Sequence, residues 1–149
     1  MPQSLANVLI HTVFSTKHRQ PFLREEQLRD EMHRYLGGVT KTLGCQPLTV
    51  GGVEDHVHLL TTLSRTSTIA DFVKETKRVS TVWVQGKGRP GFHWQAGYGV
   101  FSVGQSEVER VRAYIRDQAV HHTGVSFQEE YRKVLAAHGI EFDERYVWD

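Results

Sequence analysis

What most constrains this chain is the order in which two hydrophobic periodicities follow one another. Residues Asn7 to Ser15 set Val8, Ile10, Thr12 and Phe14 against Leu9, His11, Val13 and Ser15, apolar and β-branched on both faces as in a central strand. From Arg24 to Leu43 the apolar residues Leu28, Met32, Tyr35, Leu36, Val39 and Leu43 recur at helical spacing, and Gly44 ends the run. Cys45 to Val50 reads as a second strand, Gly51-Gly52 as a hairpin signal, and Val53 to Leu63 as a third strand. Thr68 with Asp71 opens a second helix whose buried stripe is Ile69, Phe72, Val73, Thr76, Val79, Ser80 and Trp83. The glycines and proline of residues 86–91 make a loop, and Tyr98 to Val103 alternates as a fourth strand. Ser106 and Glu109 form a capping box for a third helix, with Val108, Val111, Ile115 and Ala119 inward and Gly124 past its end. A short helix from Phe127 to His138 and an aromatic tail, Tyr146-Val147-Trp148, complete the chain.

The order β-α-β-β-α-β followed by helices is the split βαβ, or ferredoxin-like, arrangement: an α+β fold with a four-stranded antiparallel sheet, helices on one face, and additional C-terminal helices. In that topology the first and third strands lie at the centre of the sheet. The 149 residues read as a single domain, 1–149, with no repeat or linker.

Within the third strand, Glu54-Asp55-His56-Val57-His58-Leu59-Leu60 places two histidines one residue apart. Strand alternation puts both on one face, about 7 Å apart at the backbone, so the rings can converge on one ion. Two histidines on a half-exposed face need bind nothing, so spacing alone leaves both readings open. Cys45 is the only cysteine, which excludes an internal disulfide and a cysteine-based zinc site and fits a reducing, cytoplasmic setting. No run approaches transmembrane length, and Met1-Pro2-Gln3-Ser4 does not begin a signal-peptide pattern, so no membrane association is expected.

The net charge is +1, but residues 1–90 carry 12 Lys+Arg against 8 Asp+Glu, and residues 91–149 carry 6 against 9. The basic excess lies with the histidine pair, and Lys17, Arg19, Lys74, Lys77, Arg78, Lys87 and Arg89 are the candidates for contact with a polyanion. Phe92 and Trp94 read either as core aromatics or as base-stacking platforms. On the third helix Tyr114 and Gln118 are four residues apart and share a face, which His121 and His122 continue.

These stretches, together with Trp94-Gln95-Ala96-Gly97-Tyr98-Gly99-Val100-Phe101-Ser102-Val103, Tyr114-Ile115-Arg116-Asp117-Gln118-Ala119-Val120-His121-His122 and Arg145-Tyr146-Val147-Trp148, closely resemble the single-tyrosine HUH transposases of bacterial insertion sequences and their REP-associated relatives. The resemblance implies a DNA-strand transferase that cleaves and rejoins single-stranded DNA at hairpin ends through a 5′-phosphotyrosine intermediate. It implies Tyr114 as nucleophile, His56, His58 and Gln118 as a neutral ligand set for Mg²⁺ or Mn²⁺, and a homodimer in which the tyrosine helix of one subunit often serves the histidines of the other. Two alternatives stay open: a non-catalytic hairpin-binding module derived from a transposase, and a two-histidine phosphoesterase, for which His11-Thr12-Val13 is a poor second element.

Overall fold

The computed structural model of the chain describes residues 2–149. Its sheet runs β2-β3-β1-β4, all antiparallel, from β1 (Leu9–Ser15), β2 (Pro47–Gly52), β3 (His56–Thr62) and β4 (Gly99–Val103). The crossovers are α1 (Glu26–Thr42) and α2 (Ile69–Gly86), which gives the split βαβ topology, with β1 and β3 central.

Alternation along the two central strands divides the core. Phe14, Val57 and Leu59 meet Leu28, Met32 and Leu36 of α1 and Val84 of α2, while Ile10 meets Phe72. On the opposite face Leu9 and Leu60 meet Val108 and Ile115 of α3 (Val108–Arg116). Val13 and Phe101 meet Phe127, Tyr131 and Leu135 of α5 (Phe127–Ala137). Each such side chain withdrawn from water contributes about 1.5–3 kcal/mol, so both faces are held, α1 and α2 on one and the C-terminal helices on the other.

Thr68 caps α2 as the sequence predicts, its hydroxyl accepting from Asp71 N at 3.0 Å, and Ser126 caps α5 through Glu129 N at 3.2 Å. Elsewhere local signals yield to packing. Gly51 and Gly52 belong to β2 rather than to a turn, and the chain reverses over residues 53–55. The glycine at 51 is required by close approach: a Cβ there would lie 2.8 Å from both Cγ2 and the carbonyl oxygen of Ile115. Ser106 caps nothing; it lies in a 3₁₀ turn (Gln105–Glu107), and α3 starts without a side-chain cap. The expected third helix also breaks at Asp117 (φ −91°, ψ 17°), and α4 (Gln118–His121) resumes on a different angular setting. Gln118 is therefore buried and Ala119 exposed, the reverse of an unbroken helix. Ile69, in the first turn of α2, is 40% exposed instead of buried. Phe92 and Trp94 are core residues, the indole donating to Ser80 Oγ at 2.9 Å, so neither is free to stack on a base.

Candidate active site

Strand alternation turns His56 and His58 toward the face covered by α3, α4 and α5, where both are fully buried. Neighbours fix both rings through Nδ1: His56 donates to Asp55 Oδ1 at 2.7 Å, and His58 Nδ1 lies 2.8 Å from Nε2 of buried His11 on β1. This leaves both Nε2 atoms pointing into one space.

What occupies that space is Glu130, 2% exposed on α5. Its oxygens divide the site. Oε1 lies 3.1 Å from His58 Nε2 and 3.3 Å from His56 Nε2. Oε2 accepts from the Tyr114 hydroxyl and, at 2.9 Å, from Gln118 Nε2. His121 Nε2 stands 3.4 Å and His122 Nε2 3.1 Å from Oε2. His122 approaches off the hydrogen-bonding direction, so its Nε2 has no hydrogen-bond partner although it lies within ion-pair distance. The sequence reading missed Glu130. Its signal was position: three residues after Phe127 and one before Tyr131, it is a carboxylate set inside an apolar helical stripe.

The electrostatics follow from burial and from this carboxylate. Burial opposes the charge on Glu130, but the His122, His56 and His58 rings gathered about its oxygens outweigh it and hold the carboxyl far below its ordinary range. Burial also works against protonation of His56, yet Asp55 and Glu130 raise it to about 9. Burial lowers His58 to about 4, and burial with the adjacent His58 lowers His11 to about 3. Burial, then Glu130, pushes the Tyr114 phenol well above its usual value.

Donor chemistry decides whether these residues suit a cation. With Nδ1–H of His56 committed to Asp55, the Nε2 lone pair faces Gln118 Oε1 at 2.9 Å and Glu130 Oε1 at 3.3 Å. Converging acceptors need a proton or a cation between them. His56, His58 and Glu130 each offer one ligand atom within 4.8 Å of the others, as do His121, His122 and Glu130. The residues therefore fit a divalent ion, and Glu130 adds an anionic donor to the expected neutral set of His56, His58 and Gln118.

The structure brings Tyr114, His56, His58 and Gln118 together within a single chain; it does not bring the predicted basic residues to them. Lys74, Lys77, Arg78, Lys87 and Arg89 belong to α2 and the loop after it, in the layer across the sheet from the histidines. Lys77 donates to the carbonyls of Gln95, Ala96 and Gly97 at 2.8, 3.2 and 2.7 Å, and burial lowers it to about 8. Arg78 pairs with Glu75 at 2.7 Å, Lys87 with Glu31 at 3.4 Å, and Arg89 with Glu25, while Lys74 is exposed. Arg19 lies over the Trp148 ring at 5.9 Å. Lys17 is exposed beside the Asp55 turn, its neighbour Thr16 N donating to Asp55 O at 2.8 Å.

A family model described as transposase IS200 like matches residues 4–118, a span that holds both strand histidines, Tyr114 and Gln118. The chain belongs to the IS200-like transposase family. Among solved structures this transposase is similar to a protein of Deinococcus radiodurans R1 assigned as a transposase, at 23% identity and TM-score 0.63, over 79% of this chain and 98% of that one. It is also similar to a REP-associated tyrosine transposase bound to a REP hairpin, at 16% identity and TM-score 0.60, over 84% of this chain and 74% of that one. At such identities the likeness is one of fold. Comparison with curated proteins gave no match. The family match ends at Gln118, so α5 and Glu130 lie beyond it. Among the described residues no helix is long and apolar enough to cross a membrane.

Proposed function

We propose that this transposase cuts and rejoins single-stranded DNA beside a hairpin through a 5′-phosphotyrosine link to Tyr114. One observation carries the reading: the Tyr114 hydroxyl, both strand histidines and Gln118 meet at the single buried carboxylate of Glu130. The Tyr114 oxygen attacks the scissile phosphorus; its bond to phosphorus forms as the bond to the 3′ oxygen of the preceding nucleotide breaks, and that oxygen takes a proton from solvent. The Tyr114 hydroxyl is oriented by its hydrogen bond to Glu130 Oε2, and its proton is released to solvent as the bond to phosphorus forms. One phosphoester replaces another, so rejoining is the same exchange in reverse and needs no nucleotide triphosphate.

His56 and His58 through Nε2, Gln118 through Oε1 and Glu130 through Oε1 would hold the Mg²⁺ or Mn²⁺. Such an ion, when bound, polarises the scissile phosphate and stabilises the leaving oxygen. Asp55 and His11 keep the two rings turned inward, and Gln118 Nε2 steadies Glu130. Of the basic residues we assign Lys17, exposed beside the Asp55 turn, to a backbone phosphate. Joining two ends requires two nucleophiles, so we assign a homodimer in which each chain carries its own complete site. A two-histidine phosphoesterase fits less well, because the His11 ring is bound to His58 rather than turned to a substrate.

The test is a denaturing gel. Hairpin-bearing single strands with Mg²⁺ or Mn²⁺ are expected to give protein covalently joined to DNA, and EDTA to remove the product. Cleavage in excess EDTA would overturn the metal role; hairpin binding without any adduct would favour the binding-module alternative.

A further inference from the structure

A cavity of about 400 Å³ opens between β4, α3 and α5, and its inner end reaches Tyr114 and Glu130. We propose that it receives the nucleobase of the nucleotide whose 5′-phosphate becomes joined to Tyr114, a specificity site that rests on the strand-transfer chemistry proposed above. Its volume falls in the range of small-molecule sites, and Val111 and Val134 make its walls largely apolar. Phe101 is buried, and the exposed His138 ring lies against it at 4.6 Å and a tilt of 32°, a backed aromatic ring on which a base can stack. His138 donates Nδ1–H to Val134 O at 2.9 Å, so its neutral ring keeps Nε2 as an acceptor. At the rim Lys133 is exposed and, among the described residues, in no ion pair, which leaves its charge for a phosphate.

The choice between the two nucleotides flanking the scissile bond follows from the geometry of displacement at phosphorus. The leaving 3′ oxygen stands opposite the attacking Tyr114 oxygen, so the departing nucleotide extends away from the tyrosine. The 5′ oxygen of the retained nucleotide is equatorial, which carries that nucleotide sideways. A cavity that has Tyr114 in its own wall borders the tyrosine itself, not the space beyond the phosphorus into which the leaving nucleotide extends. The retained base is the one within reach.

A pool of single strands with a fixed hairpin and randomised flank, incubated with the transposase and Mn²⁺, identifies a cleaved sequence through its covalent adducts. Abasic analogues of that strand then test the cavity. Removing the base on the retained side is expected to slow adduct formation about tenfold or more, as loss of a stacked base does, and removing the base on the leaving side to slow it less. Ala137→Trp, from an exposed position on α5, and Val111→Phe, from the α3 wall, fill the cavity; each is expected to react with the intact strand and the retained-side abasic strand at equal rates. Equal losses at both abasic positions, or undiminished sensitivity to the retained-side base in both variants, would overturn the assignment. No adduct from any member of the pool would instead overturn the strand-transfer reading, and the cavity's role with it.

Discussion

Glu130 holds the site together with two oxygens that face different partners. Glu130→Gln keeps the shape and removes the charge, so we expect adduct formation to fall about 100-fold or more while hairpin binding persists; rates from gel time courses check this. The histidines give metal-free protein a pH signature. His11 and His58 titrate in the fold at about 3 and about 4, and His33, lowered by burial and then by Arg29, at about 4, all from 6.5. Between those values the unfolded chain binds more protons. The stability they contribute is therefore full above pH 6.5 and is lost as pH falls through the folded values, by up to about 1.4 kcal/mol per unit for each group. His56 runs the other way: raised to about 9, its contribution is full below 6.5 and is lost as pH rises through 9. Thermal melts in EDTA should show a maximum near neutral pH and a clear loss by pH 5. A Tm that rises from pH 7 to pH 5 would contradict this balance of charges.

At the scale of elements, the position of α3 relative to β2 decides whether Tyr114 reaches Glu130. Gly51→Ala would set a methyl group against Ile115, and we expect it to cost about 1–3 kcal/mol of stability and to lower adduct formation more than hairpin affinity. Melting and binding curves measured on one preparation would separate the two effects. The alternation in β1 and β3 and the helical stripes of α1 and α2 made the sheet, its topology and the facing of His56 and His58 legible from sequence, because burial on a regular lattice leaves a periodic trace. The break at Asp117 left none: no glycine or proline marks it, and the gain is tertiary, turning Gln118 inward onto His56 and Glu130. The same holds for the basic residues. Charge is legible in a sequence, but which layer carries it is decided by the crossover that puts α2 across the sheet from the site.

In the whole molecule Tyr114 and the histidine pair meet within one chain, which is the basis for proposing self-contained sites in the homodimer, where the sequence resemblance implied a tyrosine helix that often serves the other subunit. Mixing Tyr114→Phe with His58→Ala protein under exchange conditions should therefore restore no activity, since every site keeps one defect; recovery toward half the wild-type rate would mean shared sites. The central claim is that Tyr114 becomes the covalent carrier of the cut strand. Proteolysis of the gel-purified adduct and mass spectrometry of the nucleotide-bearing peptide test it most directly. The added mass is expected on Tyr114, with no adduct from Tyr114→Phe, whereas a nucleotide on Tyr98 or Tyr131, or cut DNA with no nucleotide on the protein, would assign the chemistry elsewhere.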